Sequence, residues 1–307
     1  MTFVLAPCFN EQTTINIFLK KLEEVLAALN DEFRVVIVDD CSQDNTFNLL
    51  SQFNFKAKNI QLDVLRLTFN IGHQGAIYQG LLYISEQSPG SVIIMDSDGE
   101  DDPAAIPELL QFKAYDIVEV KRGKRSEGIL FRFFYFLYKM LFKFVTGKII
   151  DFGNYCLINK NIVDRIKHTS FVHLPAYLLK QKASTTFITC NRGKRIDGRS
   201  KMGYKGLLLH AFKSMIEFAE DLLMLFFRLF IVLMIIFLFV SGNVIYQKFV
   251  THTAIPGWFS TLAISLIMLA TLCMGFFITG ILLLNLMHQQ NIKSFKEIYS
   301  VTPKAEL

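Results

Sequence analysis

Over the first 120 residues, apolar runs and helical stripes take turns. Phe3-Val4-Leu5-Ala6 is a short apolar run closed by Pro7, and Ile15, Phe18, Leu19, Leu22, Val25, Leu26 and Leu29 then recur at helical spacing. Residues 34–38 are β-branched after Arg34 and run into Asp39-Asp40; Ser42, Asp44 and Thr46 are turn and cap types that open a helix through Phe53. Residues 60–67 and 91–95 predict two more strands, 74–85 a helix between them, and 115–120 a fifth strand after a helix that Pro103 begins. Such alternation predicts an α/β domain with a mostly parallel, Rossmann-like sheet covered on both faces. Ligands of these sheets sit at the carboxyl ends of the strands. Asn10-Glu11, Asp39-Asp40, Asn70-Ile71-Gly72 and the run 96–102 all fall there.

The pattern changes near residue 128. Residues 128–148 are apolar almost all round, and Arg132, Lys139 and Lys143 share one narrow stripe at about 100° per residue. That predicts a helix lying on a bilayer surface; the alternative is a core helix whose basic stripe is its solvated edge. A milder amphipathic stretch covers 206–221. Residues 222–245 and 258–286 are then nearly unbroken apolar runs, each longer than the roughly 20 residues that cross a bilayer. Arg228 lies near the start of the first run, where its stem snorkels toward headgroups. The predicted organisation is an α/β domain over 1–205, an interfacial helix over 206–221, a two-helix transmembrane hairpin over 222–286 and a tail over 287–307. The loop between the spans carries only Lys248 and His252, whereas Lys293, Lys296 and Lys304 follow the second span. The positive-inside rule therefore predicts that the α/β domain and both termini are cytoplasmic.

Composition supports a membrane setting. Hydrophobic residues make up 52% of the chain, with 30 Phe, and the net charge of +5 comes from basic residues set among Phe and Leu. That arrangement suits an anionic lipid surface rather than nucleic acid. The five cysteines have no metal-ligand spacing and read as free thiols in a reducing compartment. No basic segment or long apolar stretch precedes Pro7, so no signal peptide is expected.

The most concentrated chemistry is acidic. Asp96, Asp98 and Glu100 set carboxylates at alternate positions just after the fourth strand. A hard divalent cation, Mg²⁺ or Mn²⁺, relieves their repulsion and can neutralise a departing diphosphate. Asp101 and Asp102, ahead of Pro103, read as acids of a helix N-terminus.

Five segments recur in a familiar order across residues 1–205. They are Pro7-Cys8-Phe9-Asn10-Glu11 (P-x-x-N-E), Val38-Asp39-Asp40-Cys41-Ser42-Gln43-Asp44-Asn45-Thr46 (V-D-D-x-S-x-D-x-T), Asn70-Ile71-Gly72 with Ala76 and Gly80 (N-x-G-x-x-x-A-x-x-x-G), Asp96-Ser97-Asp98 (D-x-D), and Arg195-Ile196-Asp197-Gly198-Arg199-Ser200-Lys201 (R-x-x-G-x-S-K). Together they resemble the family 2 inverting glycosyltransferases of GT-A fold. The similarity is to the polyprenyl-phosphate branch, which includes dolichyl-phosphate mannose synthases and bactoprenol glucosyltransferases. The resemblance implies that Pro7, Asn10, Glu11, Asp39, Asp40, Asn70, Gly72, Asp96 and Ser97 bind a UDP- or GDP-sugar. It implies that Asp96, Asp98 and Glu100 hold Mg²⁺ or Mn²⁺, and that Asp96, Asp98, Arg195 and Lys201 carry catalysis. Arg122, Arg132, Ser200 and Lys201 would meet the acceptor phosphate, with Lys121 and Arg125 nearby. Members of the branch with terminal spans can form tetramers.

Two departures stand out. Glu100 occupies a position that is often Gln in this branch, and Asp151-Phe152-Gly153-Asn154-Tyr155 lacks the Arg of the usual G-D-F-R-like segment, leaving Asp151 as a candidate. His73 and His173 read as ordinary polar residues. A polyprenyl phosphate acceptor is already ionised, so the implied reaction is an in-line, inverting displacement driven by positioning and electrostatics. Two other readings stay open. One is transfer to another membrane lipid, whose hydroxyl would need a base from the 96–102 cluster or Asp151. The other is a non-catalytic membrane scaffold. The Q-x-x-R-W motif of processive synthases is absent, since the only Trp is Trp258.

Overall fold

Every residue of β1 (Thr2–Cys8) is buried, which places this strand in the middle of the sheet. The computed structural model describes residues 1–122, 129–190, 204–253, 257–291 and 299–303. After β1 come α1 (Ile15–Ala27), β2 (Phe33–Asp39), α2 (Thr46–Gln52), β3 (Ile60–Leu67), α3 (His73–Ser85) and β4 (Ser91–Ile94). A 3₁₀ turn at Pro103–Ala105 leads into α4 (Ile106–Gln111), β5 (Ile117–Arg122) and α5 (Ile129–Thr146). Then follow β6 (Phe152–Asn159), α6 (Lys160–Ile166), α7 (Leu174–Lys180), β7 (Thr185–Cys190), α8 (Tyr204–Glu217), α9 (Ala219–Tyr246), α10 (Trp258–Asn291) and β8 (Tyr299–Pro303).

The strands lie in the order β7-β5-β6-β4-β1-β2-β3-β8. β1 pairs in parallel with β2 and β4, β2 with β3, and β5 with β7. β6 runs antiparallel to β4 and β5, and β8 antiparallel to β3. The mostly parallel α/β sheet is as expected, with its strands shifted by a residue or two at the ends. β5 starts at Ile117 because Tyr115 is held in a turn, its N–H donating to Phe112 O. Three strands lack a legible pattern. Gly153 and Asn154 interrupt β6, β7 is half polar, and β8 lies within the stretch expected as a tail.

Side-chain alternation sorts the sheet into two cores. Val4, Ala6, Val35 and Ile37 face Ile15, Phe18, Leu19 and Leu22 of α1 and Leu50 of α2. Phe3, Leu5, Val36 and Val38 face Ile77, Leu81 and Ile84 of α3 and Ile162, Val163 and Ile166 of α6. α3 lies so close to the sheet that a Cβ on Gly80 would sit 2.3 Å from Leu5 Cδ1.

The chain divides into two compact units. One is this α/β unit, Met1–Lys139 with Ile149–Glu217 and Phe295–Leu307; the other is Met140–Lys148 with Phe218–Ser294. In the second, the segments Ala219–Thr251 and Phe259–Leu284 have mean hydropathies of 3.0 and 2.4 and are long and apolar enough to cross a membrane. α9 and α10 pack side by side through Phe227 and Phe277, 5.0 Å apart, and through Leu233, Ala270 and Cys273. Leu238, Phe239, Ile264 and Met268 point outward with most of their surface exposed, as a lipid-facing surface requires.

Candidate functional site

The loops after β1 and β2 are stitched together by the polar residues of their motifs. Asn10 N donates to Ser42 Oγ at 2.9 Å, Glu11 N to Thr46 Oγ1 at 2.8 Å and Gln12 N to Asp44 Oδ2 at 3.2 Å. Asn10 Oδ1 returns the favour by accepting from Gln43 N at 2.9 Å. Asn10 takes a left-handed backbone, φ 54, to make this turn, a conformation Asn tolerates better than most residues. Glu11 is buried, and its carboxylate accepts from Thr14 Oγ1. The spacing of Ser42, Asp44 and Thr46 thus builds the floor of the site.

The neighbouring carboxylates Asp39 and Asp40 part company. Asp40 Oδ1 accepts from Ile71 N at 2.8 Å and Oδ2 from Gly72 N at 2.9 Å, while Asn70 Nδ2 donates to Asp40 O at 3.1 Å. Gly72 sits at φ +81, which favours glycine. Asp40, Asn70 and Gly72 therefore form one knot at the start of α3. Asp39 Oδ1 accepts from Ser42 N at 3.2 Å, but its Oδ2 is buried without a hydrogen-bond partner, Arg66 Nε being 3.8 Å away. The Arg66 guanidinium lies over the Phe47 ring at 4.2 Å. Burial pushes the Asp39 carboxyl up, with Ser42 and Arg66 pulling the other way.

The Asp96–Asp102 run is a folded turn. Asp96 N donates to Asp101 Oδ2 at 2.9 Å and Glu100 N to Asp98 Oδ1 at 2.9 Å, with Gly99 at φ 85 between them. Ser97 Oγ donates to Pro7 O at 2.8 Å, bracing the end of β4 against β1. Asp102 caps the 3₁₀ turn through Ala104 N, as expected, but Asp101 does not. It points back into the acidic turn and is buried. His173 is the N-cap of α7, its Nδ1 accepting from Ala176 N at 3.2 Å. His73 is no ordinary surface residue: its Nε2 lies 3.2 Å from Asp96 Oδ1. Burial lowers its pKa, and the carboxylates of Asp96, Asp101 and Asp98 outweigh that and raise it. The signal for His73 was its place directly after Asn70-Ile71-Gly72, at the first turn of α3.

On the other side of β4, Lys121 Nζ pairs with Asp151 Oδ2 at 3.0 Å and lies 4.0 Å from the centre of the exposed Phe187 ring. Arg122 ends β5 and Arg132 lies in α5. Arg195, Ser200, Lys201 and Arg125 lie outside the described residues.

The model of Glycosyl transferase family 2 matches residues 3–173. The chain belongs to that family. As a family 2 glycosyltransferase it transfers sugar from nucleotide-sugar donors. It is 24% identical over 279 residues to a protein of Bacillus subtilis (strain 168) named uncharacterized glycosyltransferase YkcC, covering 86% of this chain and 82% of that one. It is 26% identical over 215 residues to undecaprenyl-phosphate 4-deoxy-4-formamido-L-arabinose transferase of Yersinia enterocolitica, covering 67% of this chain and 63% of that one. The fold is also that of glucosyl-3-phosphoglycerate synthase from Mycobacterium tuberculosis, solved with Mn²⁺, UDP and phosphoglyceric acid. That match has a TM-score of 0.51 and 13% identity, and covers 72% of this chain and 78% of that one.

The acidic turn of this glycosyltransferase fits a divalent cation by its donor set. Asp96 and Asp98 offer hard carboxylate oxygens at a strand end, and the ring nitrogen of His73 is already drawn to Asp96. Among the described residues no three His, Cys, Asp or Glu side chains converge on one point.

Proposed function

We propose that this enzyme moves a hexose from a UDP- or GDP-sugar to a polyprenyl phosphate, undecaprenyl or dolichyl, at the membrane surface, with inversion at the anomeric carbon. The observation that carries the reading is the union, in one chain, of a family 2 site at the strand ends with two helices long and apolar enough to span a bilayer. The Yersinia relative, whose name specifies undecaprenyl phosphate, supports the acceptor class.

In this reading Asp39 Oδ2, which has Arg66 at ion-pair distance but no hydrogen-bond donor, takes an N–H or hydroxyl of the nucleoside and so gains the bond it lacks. Asp40, Asn70 and Gly72 shape the wall beside it, and Asn10, Glu11, Pro7 and Ser97 hold the floor. Asp96 and Asp98, with Glu100 beside them, hold a divalent cation that neutralises the leaving diphosphate when bound. Arg195, Ser200 and Lys201 supply phosphate contacts from the R-x-x-G-x-S-K segment, and Arg122 and Arg132 meet the acceptor phosphate. The acceptor oxygen is ionised at neutral pH, so alignment rather than proton removal limits the step. The apolar faces of α5 and α8, with Phe136, Phe144, Phe212 and Ile216 exposed, rest on the bilayer, and the α/β unit and both termini are cytoplasmic.

The test is transfer of radiolabel from UDP- and GDP-sugars to undecaprenyl phosphate in membranes holding the protein with Mg²⁺ or Mn²⁺. Label entering an acid-labile lipid, and lost in Asp98→Ala, is the expected result. Nucleotide-sugar binding without transfer would redirect the acceptor to another lipid. Absence of both would leave a scaffold.

A further inference from the structure

Three consecutive main-chain N–H groups, those of Val172, His173 and Leu174, are taken by side chains from two different helices. Leu174 N donates to Gln74 Oε1 of α3 at 2.7 Å. Val172 N donates to Glu217 Oε2 at 2.9 Å, and His173 N donates to the same carboxylate. Glu217 is the last residue of α8, and α9 begins at Ala219. An acid there faces the negative end of the helix dipole, so the two N–H donors, charge-assisted when the carboxylate is ionised, are what hold it in place. The segment that receives it is itself firmly seated. Phe171 is buried, its ring edge-on to Tyr78 of α3 at 5.3 Å and 5.5 Å from the ring of Tyr177 in α7, and Thr169 Oγ1 lies 2.8 Å from Tyr177 Oη. Gln74 stands in the first turn of α3 beside His73, whose ring reaches Asp96. One turn before Glu217, the hydroxyl of Ser214 is hydrogen-bonded to that of Tyr138 in α5. α5 and α8, which leave Phe136, Phe212 and Ile216 exposed, are thereby joined to each other and, through Glu217 and the segment 172–174, to the helix that borders the donor site.

We propose that Glu217 is a positioning residue for transfer: it fixes the point at which the chain leaves the α/β unit for the bilayer, and so sets the reach between the donor site and a phosphate carried at the membrane surface. The inference rests on the proposed polyprenyl phosphate acceptor. The tail of such an acceptor confines its phosphate to the headgroup plane, so the phosphate cannot move to meet a misplaced site. Misplacement by about 1 Å can cost about 100-fold in rate. Glu217 acts through the segment 172–174 rather than on either substrate. A phosphate free in solution reaches the donor site whatever the seating of α8, which separates this role from a general effect on the fold.

The experiment places the full chain in bilayer nanodiscs with Mg²⁺ or Mn²⁺ and the nucleotide sugar that the wild type turns over, UDP- or GDP-linked. The acceptor is either undecaprenyl phosphate embedded in the disc or citronellyl phosphate, a short isoprenyl phosphate that stays in solution. Glu217→Ala should lower kcat/KM for the embedded acceptor about ten-fold, as misplacement by a fraction of an ångström would. It should leave the nucleotide-sugar KM and kcat/KM for citronellyl phosphate unmoved. Glu217→Gln keeps the size and one acceptor oxygen, and should fall between wild type and Glu217→Ala. An equal loss with both acceptors, a raised nucleotide-sugar KM, or no loss at all overturns the role given to Glu217 while leaving the acceptor reading intact. Where citronellyl phosphate is no substrate of the wild type, the split between the embedded acceptor and the nucleotide-sugar KM decides alone. A wild-type chain that transfers to neither phosphate overturns the acceptor reading and the role of Glu217 with it. Nucleotide-sugar binding by each variant reports that it is folded, and Glu217→Gln decides should Glu217→Ala not fold.

Discussion

Replacing Gly80 with alanine tests how tightly α3 is seated on the sheet. The added Cβ would lie 2.3 Å from Leu5 Cδ1 and 2.9 Å from Val38 Cγ2, whereas carbon atoms rest at about 3.5–4.0 Å. Leu5 and Val38 are fully buried, so neither has free space to retreat into. Overpacking of this kind costs about 1–3 kcal/mol, and with two buried partners the upper end applies. Alanine in a helix interior returns about 1 kcal/mol over glycine. The net expectation is a loss of about 2 kcal/mol, or about 4–8 °C in melting temperature for a domain of this size. Thermal unfolding in detergent, followed by near-ultraviolet circular dichroism of tyrosines such as Tyr78, Tyr83 and Tyr155, measures it. Leu5→Val provides the internal check. Alone it should cost about 1 kcal/mol, but in the Gly80→Ala background it should cost nothing or restore stability. A Gly80→Ala protein as stable as the parent, or one with purely additive effects, would refute the close-approach argument.

Asp40→Asn should lower the melting temperature by several degrees and weaken UDP or GDP binding. The amide cannot accept at both of its ends from Ile71 and Gly72, and a lost charge-assisted bond is worth about 1.5–3 kcal/mol; thermal shift with and without nucleotide reads both effects. Asp116 accepts from Ser184 N and Oγ, both at 2.8 Å, and from Asn159 Nδ2 at 2.7 Å, which holds its carboxyl well below the usual carboxylate range. Its folded pKa is depressed, so its contribution is complete above pH of about 4 and fades as pH falls below the unfolded value. Asp116→Ala should therefore destabilise at pH 7 and flatten the loss of stability on acidification, seen by denaturant melts from pH 7 to pH 3. Deleting residues 299–307 removes β8 and bares the edge of β3 from Asp63 to Leu67. Lower stability and faster amide exchange over 63–67 are expected, and unchanged exchange there would count against β8 as a strand of this sheet.

Periodicity alone determined the α/β alternation, the placement of polar clusters at strand ends and the two apolar runs, because burial of one face or of a whole span writes a repeat into the chain that no packing detail can hide. The motif spacing of Ser42, Asp44 and Thr46 was visible as well, though not its purpose of joining two loops. Tertiary structure decided the rest. Asp39 and Asp40 are adjacent and chemically identical, and only the approach of Ile71 and Gly72 to one of them separates a loop clamp from an open acceptor. His73 looked ordinary because its partner Asp96 is far along the chain and meets it only where α3 and β4 converge. β6 and β8 were illegible because glycine and asparagine interrupt the one, while Ser300, Thr302 and Pro303 leave the other without an apolar run, and the pairing of each comes from neighbours already in the sheet.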